Sequence, residues 1–263
     1  MGVLNVTPDS FSDGGDFFAL ESAVERALQM QAEGAAIIDI GGESTRPGAD
    51  PVSASEEIDR VVAVIENLAP QLKIPISIDT QKPAVMRAAV EAGAGLINDV
   101  NALRENGALE AATDCSVPVS LMHMQGDPHS MQEAPQYTSV VDEVSDFLGN
   151  RVQACEAAGI PRDRLLLDPG FGFGKTVEHN LQLLARLDLL CSMGFPLLVG
   201  LSRKSMIGKM LGLGVDERLP ASIALAVLAV ERGAVLVRSH DVAATWQALQ
   251  MNVVLRTASQ KNP

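Results

Sequence analysis

Asn5, Asp39, Asp79, Asn98, Asp99, His123, Asp168, Arg203, Lys204, Arg238 and His240 share one property: each lies at or just beyond the end of a short apolar run. Any one of them could serve as a cap or a loop hydrogen-bond partner. Taken together they describe converging carboxylates, amides and cations, the lining of a site for a polar, partly anionic ligand. Ser202-Arg203-Lys204-Ser205 opens a helical segment, so two cations and a helix start offer a place for a carboxylate or phosphate. Glu43 to Gly48 presents a guanidinium on a turn, and Thr7 to Gly15 reads as a lid with little apolar anchoring.

Other patterns are excluded. Asp168-Pro169-Gly170-Phe171-Gly172-Phe173-Gly174-Lys175-Thr176 superficially suggests a phosphate loop, but Pro169 stands where the leading Gly is needed. Lys175 likewise stands where a dinucleotide fingerprint needs its third Gly. The glycines are expected to let backbone approach a flat ligand, with Phe173 stacking on it. The four histidines, His123, His129, His179 and His240, show no metal-ligand spacing, and His179 falls at a helix start where a structural role is expected. Cys115, Cys155 and Cys191 form no CxxC pair and read as reduced thiols of a cytoplasmic protein.

The elements that must position these residues alternate regularly. Candidate strands are Gly2–Val6, Ala36–Ile40, Pro75–Asp79, Leu96–Val100, Val117–Met122, Leu165–Asp168, Pro196–Gly200 and Val235–Arg238. Between them run segments of period near 3.6, among them Leu20–Glu33, Glu56–Leu68, Val140–Ala158 and Ile223–Glu231. Eight strand-helix units in 263 residues predict an α/β fold, a single (βα)8 TIM barrel over residues 1–263, with the site at the C-terminal ends of the strands. Gly34, Gly93 and Gly233, each followed by Ala, stop a helix at the same point of the unit. A doubly wound open sheet is the alternative, and the segment after the first strand lacks its dinucleotide fingerprint.

Composition narrows the partners. A net charge of −13 argues against nucleic acid, while a few local cations could still reverse the field within a cleft. No apolar stretch is long enough for a membrane span. The first residues lack the basic and apolar segments of a secretion signal, which again predicts a cytoplasmic protein. With aromatics at 3% and apolar residues at 47%, the core must be aliphatic, as buried parallel strands require.

The motifs Asn5 to Gly15, Asp39 to Gly48, Ser77 to Thr80, Asn98 to Val100, Leu121 to Met124, Asp168 to Lys175, Ser202 to Ser205 and Arg238 to Asp241 occur in the order of the dihydropteroate synthase family, which this chain resembles to about Val242. The resemblance implies transfer of a dihydropterin from its methyl diphosphate to 4-aminobenzoate, releasing pyrophosphate, with Mg²⁺ as cofactor and a homodimer as the assembly. It implies that Asp168 pairs with the amino-pyrimidine edge of the pterin, that Asn98 and Asp79 complete a polar ring, and that Lys204 donates to the carbonyl side. Asn5 would hold Mg²⁺, and Arg238 and His240 would grip the diphosphate together with Ser239 and Thr45. Asp13 would belong to the first lid loop and Arg46 to the second. Phe11, Arg46, Pro47, Phe173 and Ser205 would form the aminobenzoate pocket, where sulfonamides compete. Asp79, Lys204, Arg238, His240 and Asp13 are then the catalytic candidates. Displacing diphosphate puts negative charge on the leaving group and positive charge on the methylene, and one well-placed electrostatic contact is worth ~3–4 kcal/mol of barrier.

Two departures accompany the resemblance. The family usually carries a short N-terminal extension that closes the barrel floor, so such a segment is expected before Met1. Ser239 replaces a commonly apolar residue, which alternation along a strand should tolerate. Three other functions were weighed: a pterin-dependent methyltransferase, a silent pterin-binding paralogue, and a Schiff-base aldolase using Lys204. The first would lack the Ser-Arg-Lys-Ser segment, the second has no need of intact diphosphate ligands, and the third poorly suits the neighbours of Lys204.

Overall fold

A computed structural model describes residues 1–6, 15–44, 51–126, 131 and 134–260, with 15–19 and 259–260 as backbone only. Its strands are β1 Gly2–Asn5, β2 Ile38–Gly41, β3 Ile76–Asp79, β4 Leu96–Asp99, β5 Val119–Met122, β6 Leu165–Asp168, β7 Leu198–Gly200 and β8 Leu236–Arg238. The helices are α1 Gly15–Ala32, α2 Ala54–Leu68, α3 Pro83–Ala92, α4 Ala108–Cys115, α5 Val140–Ala157, α6 Val177–Ala185, α7 Leu187–Cys191, α8 Ser205–Leu211, α9 Leu219–Glu231 and α10 Val242–Gln260. No described helix is long and apolar enough to cross a membrane.

Strands β1 to β6 pair in parallel and in sequence order, and β7 pairs with β8. Single bridges close the ring, Leu167 to Leu197 on one side and Gly2 to Ser239 on the other. All eight expected strands are present, and five begin later than periodicity suggests, three of them at a proline. Pro75, Pro118 and Pro196 have no N–H for the ladder, so pairing starts just beyond them.

Alternation along the strands separates two environments. Ile38, Ile40, Ile76, Ile78, Leu165, Leu167 and Val199 face the helices and join the main core. The barrel interior carries an apolar floor of Met1, Leu96 and Leu198, packed by Ile37, Leu166 and Leu236. Above that floor one row runs across five strands in register: Asn5, Gly41, Asp79, Asn98 and Ser120. The polar residues therefore share a layer because they share a register position, not because they are close in sequence.

The glycine caps form as expected. Gly34, Gly93 and Gly233 have φ of +102°, +123° and +102°, and the alanine after each donates its N–H back into the helix. A fourth instance, Gly159 with Ile160 donating to Cys155, was missed because Ile160 breaks the Gly-Ala pattern.

Candidate active site

The centre of the upper layer is Arg238, at the end of β8. Its Nε donates to Asp39 Oδ2 at 2.6 Å and its Nη2 to Asp79 Oδ2 at 2.7 Å. Asn98 donates from Nδ2 to the same Asp39 oxygen at 3.1 Å. Four strands thus meet through one guanidinium and one carboxylate. Burial, followed by the charges of neighbouring carboxylates, raises the pKa of Asp79, while Arg238 pulls it down. Burial lowers that of Arg238, but Asp39 and Asp79 outweigh it, so the guanidinium is held more firmly protonated than usual. Asp39 is fully buried beneath the cleft. The sequence placed it at a strand end without giving it a role, since nothing local shows that it carries two partners from distant strands.

Across the barrel mouth, Asp168 accepts the N–H of Gly170 through Oδ1 at 2.7 Å. Burial raises its pKa to about 6, with Lys204 among the opposing charges. Lys204 places its Nζ 4.1 Å from the centre of the Phe173 ring. Burial and then Arg238 lower its pKa to about 8, against Asp168 and Asp79. Beside Phe173 lies an apolar wall of Val100, Met122, Met124 and Met131. A flat heterocycle with a donor edge would fit between this wall and the carboxylates. The wall was missed in the sequence, although the alternation Val100 after Asn98 and Met124 after Met122 could have signalled it.

The glycine-rich loop after β6 is built differently from the expectation. A Cβ on Gly170, whose φ is +67°, would lie 1.9 Å from the carbonyl oxygen of His123. One on Gly174 would lie 2.4 Å from that of Gln125. These two glycines let the loop approach the protein's own β5 end, and only Gly172 lies against Lys204. Lys175 fastens this contact. Its buried Nζ donates to the carbonyls of Gly170 at 3.0 Å and Phe173 at 2.9 Å, and lies 2.8 Å from Nδ1 of His123. Burial and then Lys175 push the pKa of His123 down to about 3, so its ring is uncharged, while burial lowers that of Lys175 itself to about 7. The strand-end histidine is thus committed to an internal tie.

The β7 and β8 ends divide the expected cation pair. Arg203 turns away to Asp241, donating from Nε at 2.9 Å, and leaves Lys204 alone facing Phe173. The expectation that both cations point the same way is corrected. Arg203 has φ of +57°, which sends consecutive side chains in diverging directions. Ser205 begins α8 and is exposed. Ser239 is buried with its Oγ 2.9 Å from Thr245 Oγ1, pointing toward α10 and out of the cleft. The expected contact of its side chain with a diphosphate is corrected by the strand alternation itself. His240 faces the cleft side, with Nδ1 3.1 Å from Ser202 Oγ. Burial, then Arg238 and Arg203, push its pKa down to about 4.

Asn5 is half-buried at the end of β1. A side chain at Gly41 would touch both Asn5 Oδ1 and Asp79 Oδ2, each 3.8 Å from a Cβ there, so this glycine leaves a gap between an amide oxygen and a carboxylate. Hard oxygen donors around such a gap fit a cation that keeps most of its ligands as water or phosphate. Beyond the C-terminal end of β2, Lys82 pairs with Glu43 at 3.1 Å and Glu57 at 2.6 Å, and Val52 N–H donates to Glu43. Glu43 therefore links Lys82 to the backbone at Val52. Phe11, Asp13, Thr45, Arg46 and Pro47 lie outside the described residues.

A closed parallel barrel with buried carboxylates, a lysine on an aromatic ring and an arginine at the mouth defines a class of binding site for flat, polar heterocycles carrying an anion. The family model described as pterin binding enzyme matches residues 1–240, and the chain belongs to that family. Within it, the chain is 54% identical to dihydropteroate synthase of Escherichia coli K12, covering 99% of this chain and 92% of that protein. It also matches a Yersinia pestis dihydropteroate synthase solved with a sulfonamide drug complex, at TM-score 0.93 and 50% identity over 98% and 94% of the two chains. A Xanthomonas albilineans dihydropteroate synthase in complex with 7,8-dihydropteroate matches at TM-score 0.89 and 52% identity over 100% and 94%.

Proposed function

We propose that this chain joins (7,8-dihydropterin-6-yl)methyl diphosphate to 4-aminobenzoate, forming 7,8-dihydropteroate and pyrophosphate. The observation that carries the reading is the placement of Asp168 in the field of Lys204, which lies over the Phe173 ring, at the same barrel mouth as the Arg238 cluster. The relatives named for this activity align over nearly the whole chain.

The chemistry follows from the groups present. Asp168, with one oxygen taken by Gly170, offers the other to a donor edge of the pterin. Asn98 gives one amide hydrogen to Asp39, so its second Nδ2 hydrogen and its carbonyl oxygen remain for the ligand. Lys204 supplies a donor to the ring carbonyl, and the wall of Val100, Met122 and Met124 packs its face. The aminobenzoate nitrogen attacks the methylene carbon, the C–O bond breaks, and its electron pair leaves with the diphosphate. The nitrogen then loses a proton to water. Asp79 sits where a carboxylate stabilises positive charge at the methylene, and Arg238 and His240 receive the leaving anion. Phe173 and Ser205, with Phe11, Arg46 and Pro47, which lie outside the described residues, are the aminobenzoate contacts in this reading. Asp13 and Thr45, also outside the described residues, belong to the same reading, Asp13 as a catalytic residue and Thr45 as a diphosphate contact.

Mg²⁺ is the proposed cofactor; Asn5 would hold it, and it would supply charge neutralisation for the leaving group. Sulfonamides are proposed to occupy the aminobenzoate place, as the drug complex of the Yersinia relative supports. A second copy of this chain is the proposed partner, supported by Leu228, Met251, Val254 and Leu255, which stand exposed on neighbouring helices α9 and α10. The cytoplasm is the proposed compartment, supported by three free thiols.

Purified protein with Mg²⁺ should release pyrophosphate only when both substrates are present, and Lys204→Ala should lose pterin binding as well as turnover. Pyrophosphate release without aminobenzoate dependence, or none at all, would reject the assignment. Light scattering after gel filtration should give twice the chain mass, and a monomer would reject the dimer.

A further inference from the structure

Ser202 follows β7 and has no part in the scheme above, yet its hydroxyl holds His240 at two points. The backbone N–H of His240 lies 3.2 Å from Ser202 Oγ, and the ring Nδ1 lies 3.1 Å from the same oxygen. A backbone amide can only donate, so Oγ accepts there. The ring nitrogen can do either, and the two cases differ. With a hydrogen on Nδ1, the oxygen would accept twice and the hydroxyl hydrogen would have no acceptor among the described residues. With a lone pair on Nδ1, the hydroxyl donates to it, and all three groups are satisfied.

We propose that Ser202 is a positioning residue for the reaction: by donating to Nδ1 it fixes His240 as the Nε2–H tautomer, so that the ring presents a donor to the diphosphate beside Arg238. The inference rests on the assignment of the diphosphate to Arg238 and His240.

The surroundings make the tautomer matter. Arg238 on β8, Arg203 and Lys204 after β7, and Asp241 after β8 all act on this ring, and burial with the cations keeps it uncharged at neutral pH. Arg26 of α1 donates to the His240 carbonyl at 3.3 Å, holding the backbone of the same residue. An uncharged imidazole has one N–H. Pointed at a phosphate oxygen it adds a donor to those of Arg238. Turned the other way it would set a lone pair against an anion.

The test reads the tautomer directly. Long-range ¹⁵N–¹H correlation spectra of the full-length labelled protein at pH 7, with His240 assigned from its loss in His240→Gln, should show hydrogen on Nε2 and a lone pair on Nδ1. Ser202→Thr, which keeps a hydroxyl, should retain that pattern, while Ser202→Ala should shift it toward Nδ1–H or a mixture. Inorganic pyrophosphate with Mg²⁺ should bind Ser202→Ala roughly tenfold more weakly, the order of one hydrogen bond to a charged group, and a pterin lacking diphosphate should bind as in the wild type. Hydrogen on Nδ1 in the wild type, or an unchanged spectrum in Ser202→Ala, overturns the proposal even if Ser202→Ala proves unstable in other assays. Pyrophosphate affinity that is unchanged in His240→Gln fails the diphosphate assignment instead, leaving the tautomer result to stand by itself.

Discussion

Replacing Asp39 by Asn removes one negative charge from beneath the cleft and alters almost no volume. The carboxylate has no exposure, and its Oδ2 receives Arg238 Nε at 2.6 Å and Asn98 Nδ2 at 3.1 Å. Breaking a buried ion pair by removing one partner costs about 3–5 kcal/mol. Two features place this case at or below the lower end. The amide oxygen can still accept from Arg238, and Asp79 still neutralises the guanidinium through Nη2. A loss of about 2–3 kcal/mol follows, and at roughly 2–4 °C per kcal/mol for chains near this size the melting temperature should fall by ~4–12 °C. Asp241→Asn supplies the control. It too neutralises a carboxylate that carries an arginine, but Arg203 is 40% exposed, so the pair should contribute no more than about 1 kcal/mol. Thermal melts followed by circular dichroism at 222 nm compare the two. If Asp39→Asn melts with the wild type, or falls no further than Asp241→Asn, the guanidinium is not being held by Asp39 in the way the geometry implies. Pterin affinity measured by calorimetry should fall in Asp39→Asn alone.

Three further outcomes follow from the site. Asp168 has its free-state pKa raised to about 6 by burial, and pterin binding needs its ionised form. Affinity should therefore hold above pH 6 and weaken by about tenfold per pH unit below it; calorimetry from pH 5 to 8 that gives a flat profile, or the same profile in Asp168→Asn, contradicts the role. Burial holds His123 and His240 below this range, at about 3 and about 4, but brings Asp79 and Lys175 to about 7, within it. The difference between wild type and Asp168→Asn is therefore what reports Asp168. Lys175→Met removes the donor shared by Gly170, Phe173 and His123, so the KM for aminobenzoate should rise more than that for the pterin substrate, through a displaced Phe173. Equal changes in both constants would count against that tie. Gly170→Ala sets a Cβ 1.9 Å from the His123 oxygen at positive φ and should cost at least ~3 kcal/mol in urea unfolding, whereas Gly95→Ala, with open space around it, should stay within about 0.5 kcal/mol. Equal stabilities for the two variants would contradict the packing described.

Much of the barrel was legible in the chain because its signals are local. Strand periodicity, helix periodicity and the glycine that ends each helix are read within a few residues, and they returned eight strands in the right order. Prolines at 75, 118 and 196 moved strand starts by one or two residues, since a missing N–H is felt only when a neighbouring strand must accept it. The class of chemistry was legible too, because a barrel collects the ends of its strands at one mouth.

What no local signal carried is which polar groups hold one another. Asp39 and Arg238 are 199 positions apart, and only ring closure makes their side chains an ion pair. Arg203 and Lys204 are adjacent, yet one turns to Asp241 and the other to Phe173, because Arg203 itself sits at a positive φ. Gly170 and Gly174 read as clearance for a ligand and serve instead as clearance for the loop against β5. Residue types and strand ends were thus determined by the sequence alone. Whether a charge faces the substrate or anchors the wall behind it was decided by packing, since burial and partner geometry exist only once distant strands share a layer.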